Sequence, residues 1–383
     1  MLPGGIIETL PQAWIAPANF GINLGWSLLA QIETAKKPLL QETAKTAPPR
    51  WLDNSTIALL GIILGLLTAA FITGRVLRAQ PETTINPLVV RVFNQRIRAW
   101  WMMCATLVAG ILLGPIATVV LFGLVSFMGL REFITVTPTR RGDHRSIFWA
   151  FFLLTPAQYI LVGMGEKYYG LYSILIPVYA SLFIPARSAF AGDHKRFLER
   201  SAKIQAGLLI CVYSLSYAPA ILFLHLGSWE IAQDAAKEGA RVFVPFKGSN
   251  AGLLFYFVLI AQLGDVFQFA WGKLAGRHVI APAISSSRTW EGLLGGLLTS
   301  TLAGALFYWA TPFELWESAC MALVISLMGF AGGMTMSAIK RDRGVKDYGT
   351  LVTGHAGVLD RIDSLCFAAP IFFHLTRLFF TQV

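Results

Sequence analysis

Ten stretches of this chain, each 15 to 23 residues long, are almost wholly apolar. They fall at 56–74, 99–113, 115–130, 147–163, 169–185, 204–226, 251–271, 293–311, 319–338 and 365–381. A helix needs about 20 such residues to cross the ~30 Å hydrocarbon core of a bilayer. Inside that core only helices and closed barrels satisfy every backbone N–H and C=O. A single water-soluble core could not absorb so many runs, since 55% of the residues are hydrophobic and only 14% charged, against roughly 45–50% and ~25% in soluble domains. The expected fold is therefore an all-α polytopic membrane protein of about ten transmembrane helices, with a polar cavity opening to the cytoplasm. The same composition excludes disordered, collagen-like and disulfide-scaffold chains.

The stretch 99–130 would be ~48 Å long as one helix, too long for one crossing. Gly114-Pro115 at its centre is a turn signal, so it divides in two. Charge counting supports the division. With 75–98 placed inside, 22 Lys and Arg fall in the inside loops and four in the outside loops. That asymmetry is the positive-inside pattern, and it accounts for a net charge of +10 without any nucleic-acid partner. It directs the termini outward and puts the loops at 272–292 and 339–364 in the cytoplasm. A multi-pass protein of a bacterial inner membrane is the expected setting. Residues 1–12 lack a basic start and carry Glu8, so no signal peptide is expected there. Trp14–Ala30 reads as an interfacial segment or a poor eleventh span. The chain thus divides into an extension (1–55), a first set of membrane helices (56–250) and a second set with the chemistry-bearing loops (251–383). Four cysteines without CxxC spacing read as small apolar residues. His225 and His374, inside apolar spans, read as packing residues.

Polar residues are scarce, so their clusters carry information. Ser337–Ser364 holds five Lys/Arg, four Asp and His355. Positive-inside charge explains the bases but not the acids. Asp360 and Asp363, three apart, share one face of a helix that begins there. Joined by Asp347 they suit Mg²⁺, which takes a few carboxylates together with phosphate oxygens. Lys340, Arg341, Lys346 and Arg361 would meet the remaining phosphate charge. Gly354 and Gly357 would let backbone N–H groups approach an anion before the helix. A phosphate-and-metal site and a solvated loop are both compatible with these residues; the acids favour the first.

Two further clusters stand nearby. Ser285-Ser286-Ser287-Arg288-Thr289-Trp290-Glu291-Gly292 is a Ser-rich turn that could serve simply as a helix N-cap. Asp265 sits in the middle of an apolar run, with Gln262 and Gln268 on the same helical side. A carboxylate at that depth is costly unless paired or hydrated, which marks it as functional or bonded to another helix.

The pattern Ser337-x-x-Lys340-Arg341-x4-Lys346-Asp347-x-Gly349, followed by His355-x-Gly357-x-x-Asp360-Arg361-x-Asp363, resembles the signature of the phosphatidate cytidylyltransferases (CDP-diacylglycerol synthases). Departures are Thr353 and Ala356, while the acids and bases are kept. The Ser285–Gly292 segment is similar to that family's Ser-Pro-Lys-Lys-Thr-Trp-Glu-Gly, with Ser286 and Ser287 in place of Pro and the first Lys. Asp265, with Lys273 downstream, also matches. The resemblance spans about residues 90–383. It implies transfer of CMP from CTP to phosphatidic acid, giving CDP-diacylglycerol and pyrophosphate. In that scheme Asp347, Asp360 and Asp363 hold Mg²⁺, with a second cation left open. Lys346 and His355 join them in catalysis. Ser285, Arg288, Lys273, Ser337, Lys340, Arg341, Arg361 and Asp265 bind substrate. A homodimer is left open. The alternatives are a CTP-dependent kinase or cytidylyltransferase for another membrane lipid, and a transporter using Asp265 as its ion site.

Overall fold

Gly114 breaks the chain where the sequence predicts: its φ of 107° ends one helix at Leu113, and Pro115 opens the next. Pro at the first helical position has no N–H to leave unsatisfied. A computed structural model describes residues 52–79, 87–137, 139–231, 241–345 and 357–382. The expected interfacial segment Trp14–Ala30 lies outside those residues.

Among the described residues ten long helices follow one another: α1 (Asn54–Ala79), α2 (Pro87–Leu113), α3 (Pro115–Val136), α4 (Arg141–Gly163), α5 (Glu166–Ala189), α6 (Phe197–Phe223), α7 (Asn250–Leu274), α8 (Trp290–Leu306), α9 (Leu315–Asp342) and α10 (Leu359–Phe380). The protein is an all-α, multi-pass membrane protein. Among the described residues eight helices, not ten, are long and apolar enough to cross a bilayer. The exceptions are α2, whose apolar part is only Trp100–Leu113, and α8, with 17 residues. At 1.5 Å per residue these rise about 21 and 26 Å, short of a ~30 Å core. Helices α4, α5 and α6 each contain a π-helical stretch, at Ala150–Leu154, Leu175–Ala180 and Leu208–Ser214.

Two loops fold back as small antiparallel hairpins. Strands β1 (Gly227–Ile231) and β2 (Arg241–Pro245) pair Gly227 with Pro245. Strands β3 (Val279–Ala281) and β4 (Ser285–Thr289) pair Val279 with Thr289 and Ala281 with Ser285.

Helix α7 is the centre of the bundle: Ala251–Phe257 are all buried. It packs against α8, α9, α10 and α1. Phe257 stacks on Phe372 of α10 with centroids 5.1 Å apart. The Tyr256 hydroxyl donates to the Ser318 carbonyl at 2.8 Å, and the Ser318 hydroxyl donates to the Gly304 carbonyl at 2.7 Å. Where lipid tails are as apolar as leucine, such bonds and close packing, more than hydrophobic burial, bind helix to helix. The four cysteines are free thiols; Cys211 and Cys366 are buried, but Cys320 is exposed. His225 is not a packing residue: it is exposed and its Nδ1 lies 2.9 Å from Glu166. That carboxylate also meets Arg377 of α10 at 3.3 Å.

Candidate active site

The C-terminal ends of α3, α7 and α9 meet the first turn of α10 and the β3–β4 hairpin. Glycines on α9 set the spacing. A Cβ added at Gly332 would stand 2.6 Å from the Asp363 carbonyl oxygen, so α9 approaches α10 closely there. Two turns further along α9, Lys340 consequently reaches Asp360, with Nζ 2.8 Å from Oδ1 and side chains only 16% and 8% exposed. Asp363 faces the same way. Its Oδ1 accepts the Ser364 N–H at 2.8 Å, and its carboxylate lies within electrostatic range of Lys340, Arg288 and Asp265. Asp360 and Asp363 thus share the α9-facing side of α10, as their spacing predicts.

Asp265 projects from α7 toward the Ser364 hydroxyl and the Arg288 guanidinium. The glutamines on its helical side tie α7 to the same neighbours. The Gln262 amide donates to the Arg361 carbonyl of α10 at 3.4 Å, and that of Gln268 to the Ser326 carbonyl of α9 at 3.2 Å.

Arg288 comes from β4, and a glycine seats it. A Cβ at Gly333 would fall 2.1 Å from Nη2 and 2.9 Å from Cζ, so the guanidinium fills the notch that the missing side chain leaves in α9. Its cation also lies 5.1 Å from the Phe330 ring centroid, one turn back. Two carboxylates in apolar surroundings thereby gain a fixed positive neighbour.

The hairpin that delivers Arg288 is itself held. Thr289 caps α8, accepting the Gly292 N–H at 3.1 Å, as the N-cap reading of this segment expects. Glu291 accepts the N–H groups of Arg277 and His278 at 3.1 and 3.2 Å and meets His278 Nδ1 at 2.6 Å. The His278 contact and these backbone N–H groups hold the Glu291 carboxyl down to about 2. Arg341 Nε donates to the Ile284 carbonyl at 3.1 Å, tying α9 to the hairpin tip. Ser285 lies on β4 with its hydroxyl 3.3 Å from that of Ser287. The Ser337 hydroxyl donates back to the Gly333 carbonyl at 2.6 Å, an internal helix bond beside the Arg288 notch. Lys273 stands apart, exposed on α7 with its ammonium 5.8 Å from the Phe269 ring.

Glu132, 5% exposed near the end of α3, accepts the Val358 N–H at 3.0 Å and the Leu359 N–H at 2.8 Å. It caps the helix that carries Asp360 and Asp363, which has no side-chain cap of its own. At the start of α10 the N–H groups of Val358 and Leu359 are thus taken by Glu132. Gly354 lies outside the described residues, as do Lys346, Asp347 and His355, so the full metal set expected from the sequence is not on view. Among the described residues no three His, Cys, Asp or Glu side chains cluster as a metal site.

This arrangement of acids, bases and close-packed glycines lies within residues 94–379, which match the cytidylyltransferase family. The chain belongs to that family. It is 33% identical over 286 residues to the Escherichia coli protein named Uncharacterized protein YnbB, covering 74% of this chain and 86% of that one. It is 27% identical over 183 residues to a phosphatidate cytidylyltransferase of Staphylococcus haemolyticus, 47% of this chain and 70% of the relative. The enzyme of that name in Staphylococcus aureus is 34% identical over 135 residues, 35% of this chain and 52% of its own length. As a cytidylyltransferase-family member the chain is a nucleotidyltransferase. Helix α1 lies before the matched region.

Proposed function

We propose that this protein transfers CMP from CTP to phosphatidic acid, forming CDP-diacylglycerol and pyrophosphate. The observation that carries the reading is the Arg288 seat. A guanidinium fixed beside Asp265 and Asp363, with Lys340 two turns further along α9, suits a phosphate-bearing substrate held together with a divalent ion.

Mg²⁺ takes one or two protein carboxylates and completes its octahedron with water and substrate phosphate. Asp363 and Asp265, facing each other across the α7–α10 contact, supply such a pair, and Asp347 is the further carboxylate of the signature motif. These residues fit the ion, whose chemistry when bound is to neutralise charge on the triphosphate. Asp360, bonded to Lys340, aims that lysine. Arg288 and Lys340 bind the triphosphate, and Arg341 closes the rim through the hairpin.

The phosphate monoester of the lipid is ionised at pH 7, since its second pKa is about 6, so no general base is required. Its oxygen attacks the α-phosphorus of CTP while the bond to the β-phosphate breaks in line. Pyrophosphate leaves with that electron pair. The protein's part is positioning and charge neutralisation. The positive-inside count supports a cytoplasmic mouth, where CTP is found. Labelling a Ser286→Cys variant, with the native cysteines replaced, by an impermeant thiol reagent tests this, because the hairpin must react only from the cytoplasmic side.

The experiment uses purified full-length protein with phosphatidic acid, Mg²⁺ and CTP labelled at either the α- or the γ-phosphorus. The α-label is expected in the lipid and the γ-label in pyrophosphate. A γ-label in the lipid would make the protein a CTP-dependent lipid kinase and overturn the proposal.

A further inference from the structure

Beside the polar cluster lies a half-open apolar cavity of about 410 Å³, lined by α1, α2, α3, α7 and the start of α10. That volume is within the ~300–1,000 Å³ of small-molecule sites. Ile63, Leu67 and Ala70 of α1 form one wall, and Phe122 of α3 and Leu259 of α7 belong to the others. Polar groups are few. The Thr106 hydroxyl is already used within α2, donating to the Met102 carbonyl at 2.6 Å. Arg361 and Gln262 border the cavity where it meets the start of α10.

An apolar cavity of this kind does not hold ordered water, which needs two to four polar partners. A nucleotide would leave its base and ribose without partners there. A hydrocarbon tail suits it, because burying apolar surface needs no directional contacts. Among the described residues the one cation at the border is Arg361, which lies between Asp360 and Asp363 in the sequence, on the helix turn that carries the carboxylates.

We infer that this cavity holds an acyl chain of a phosphate-bearing lipid, with the lipid phosphate at Arg361 and the tail against α1. The inference rests on the proposed function for the identity of the headgroup, and adds where the lipid sits. It also gives α1 a role. That helix precedes residues 94–379, the part matched to the family, and supplies a wall that sets which chains fit.

The test is photolabelling of the purified full-length protein with a phosphatidic acid carrying a diazirine near the end of one long acyl chain. Labelled peptides are identified by mass spectrometry. Residues 63–70 should carry label, and unlabelled phosphatidic acid should compete it away where diacylglycerol does not. Ala70→Phe, which fills the cavity from α1, should lower that labelling by about tenfold or more. Val76→Phe, on the exposed side of the same helix, should leave it unchanged. In the Ala70→Phe variant the KM for long-chain phosphatidic acid should rise by a similar factor, with the KM for CTP unaltered. Absence of label from α1 in the unaltered protein overturns the inference whether or not the protein is active, and needs no variant to fold. Equal competition by diacylglycerol overturns the Arg361 assignment. Label on α1 without CDP-lipid formation would sink the proposed function and leave the lipid site standing.

Discussion

Gly333→Ala should disable the site while leaving the fold intact. The added Cβ would lie 2.1 Å from Arg288 Nη2, where ordinary contact begins near 3.4 Å, so the guanidinium must retreat by at least about 1.3 Å. It is the far end of a flexible side chain and can swing away cheaply. In doing so it leaves the Phe330 ring and its place beside Asp265 and Asp363. A charged contact is worth roughly 1.5–3 kcal/mol, which at ~1.4 kcal/mol per tenfold is a loss of one to two orders of magnitude in kcat/KM. Stability should hold or rise, because Ala in a helix interior is favoured over Gly by up to ~1 kcal/mol. Arg288→Ala should lose the same activity, and the double variant should be no worse than either single one, since both remove one interaction. The assay is CDP-lipid formation from CTP by purified variants, with Tm measured alongside. Full activity in Gly333→Ala, or losses that multiply in the double variant, would refute the seat as the source of the effect.

Glu132→Ala leaves two N–H groups at the start of α10 without an acceptor and should cost about 1–3 kcal/mol; Glu132→Gln keeps one acceptor oxygen and should cost less. Equal drops in Tm would contradict the cap. Lys340→Met strands Asp360 in a partly buried setting and should destabilise by up to about 3 kcal/mol, whereas Lys340→Met with Asp360→Asn should recover most of that and remain inactive; chemical denaturation of the three proteins checks it. Glu291 has its carboxyl held near 2, below its usual 4.5. Its contribution to the hairpin is therefore complete above pH 4.5 and lost only as the pH falls toward 2. Limited proteolysis between residues 277 and 289 should proceed alike at pH 7.5 and 5.5, and faster in Glu291→Gln at both. A rise between those two pH values in the unaltered protein would assign the titration to another group.

The helices were legible because the bilayer imposes a length on apolar runs, and the break at Gly114-Pro115 because both residues have backbone consequences of their own. The count was not. A window of apolar residues looks the same for a 17-residue helix such as α8 as for a full crossing, and the length falls short only once the ends are fixed. Asp360 and Asp363 could be placed on one face from spacing alone, and Asp265 from the cost of charge at depth. The β3–β4 hairpin escaped because Ser285-Ser286-Ser287 is too polar to read as a strand. Glu132 escaped for a different reason: its partners are 226 and 227 residues away, and its neighbours say nothing of that contact. Gly333 carries its message by what is missing, a side chain whose space belongs to Arg288. The α-helical context of such a glycine suggests helix packing, and only the fold shows a cation there.

Asp363 and the lipid product offer the most direct test. Purified full-length protein, given CTP, Mg²⁺ and phosphatidic acid, should form CDP-diacylglycerol and pyrophosphate in equal amounts. Asp363→Asn should reduce that turnover to background in protein that is expressed and folded like the original. Stoichiometric product from the unaltered protein and none from the variant is the predicted result; undiminished turnover in Asp363→Asn, or no CDP-lipid from the unaltered protein, would contradict it.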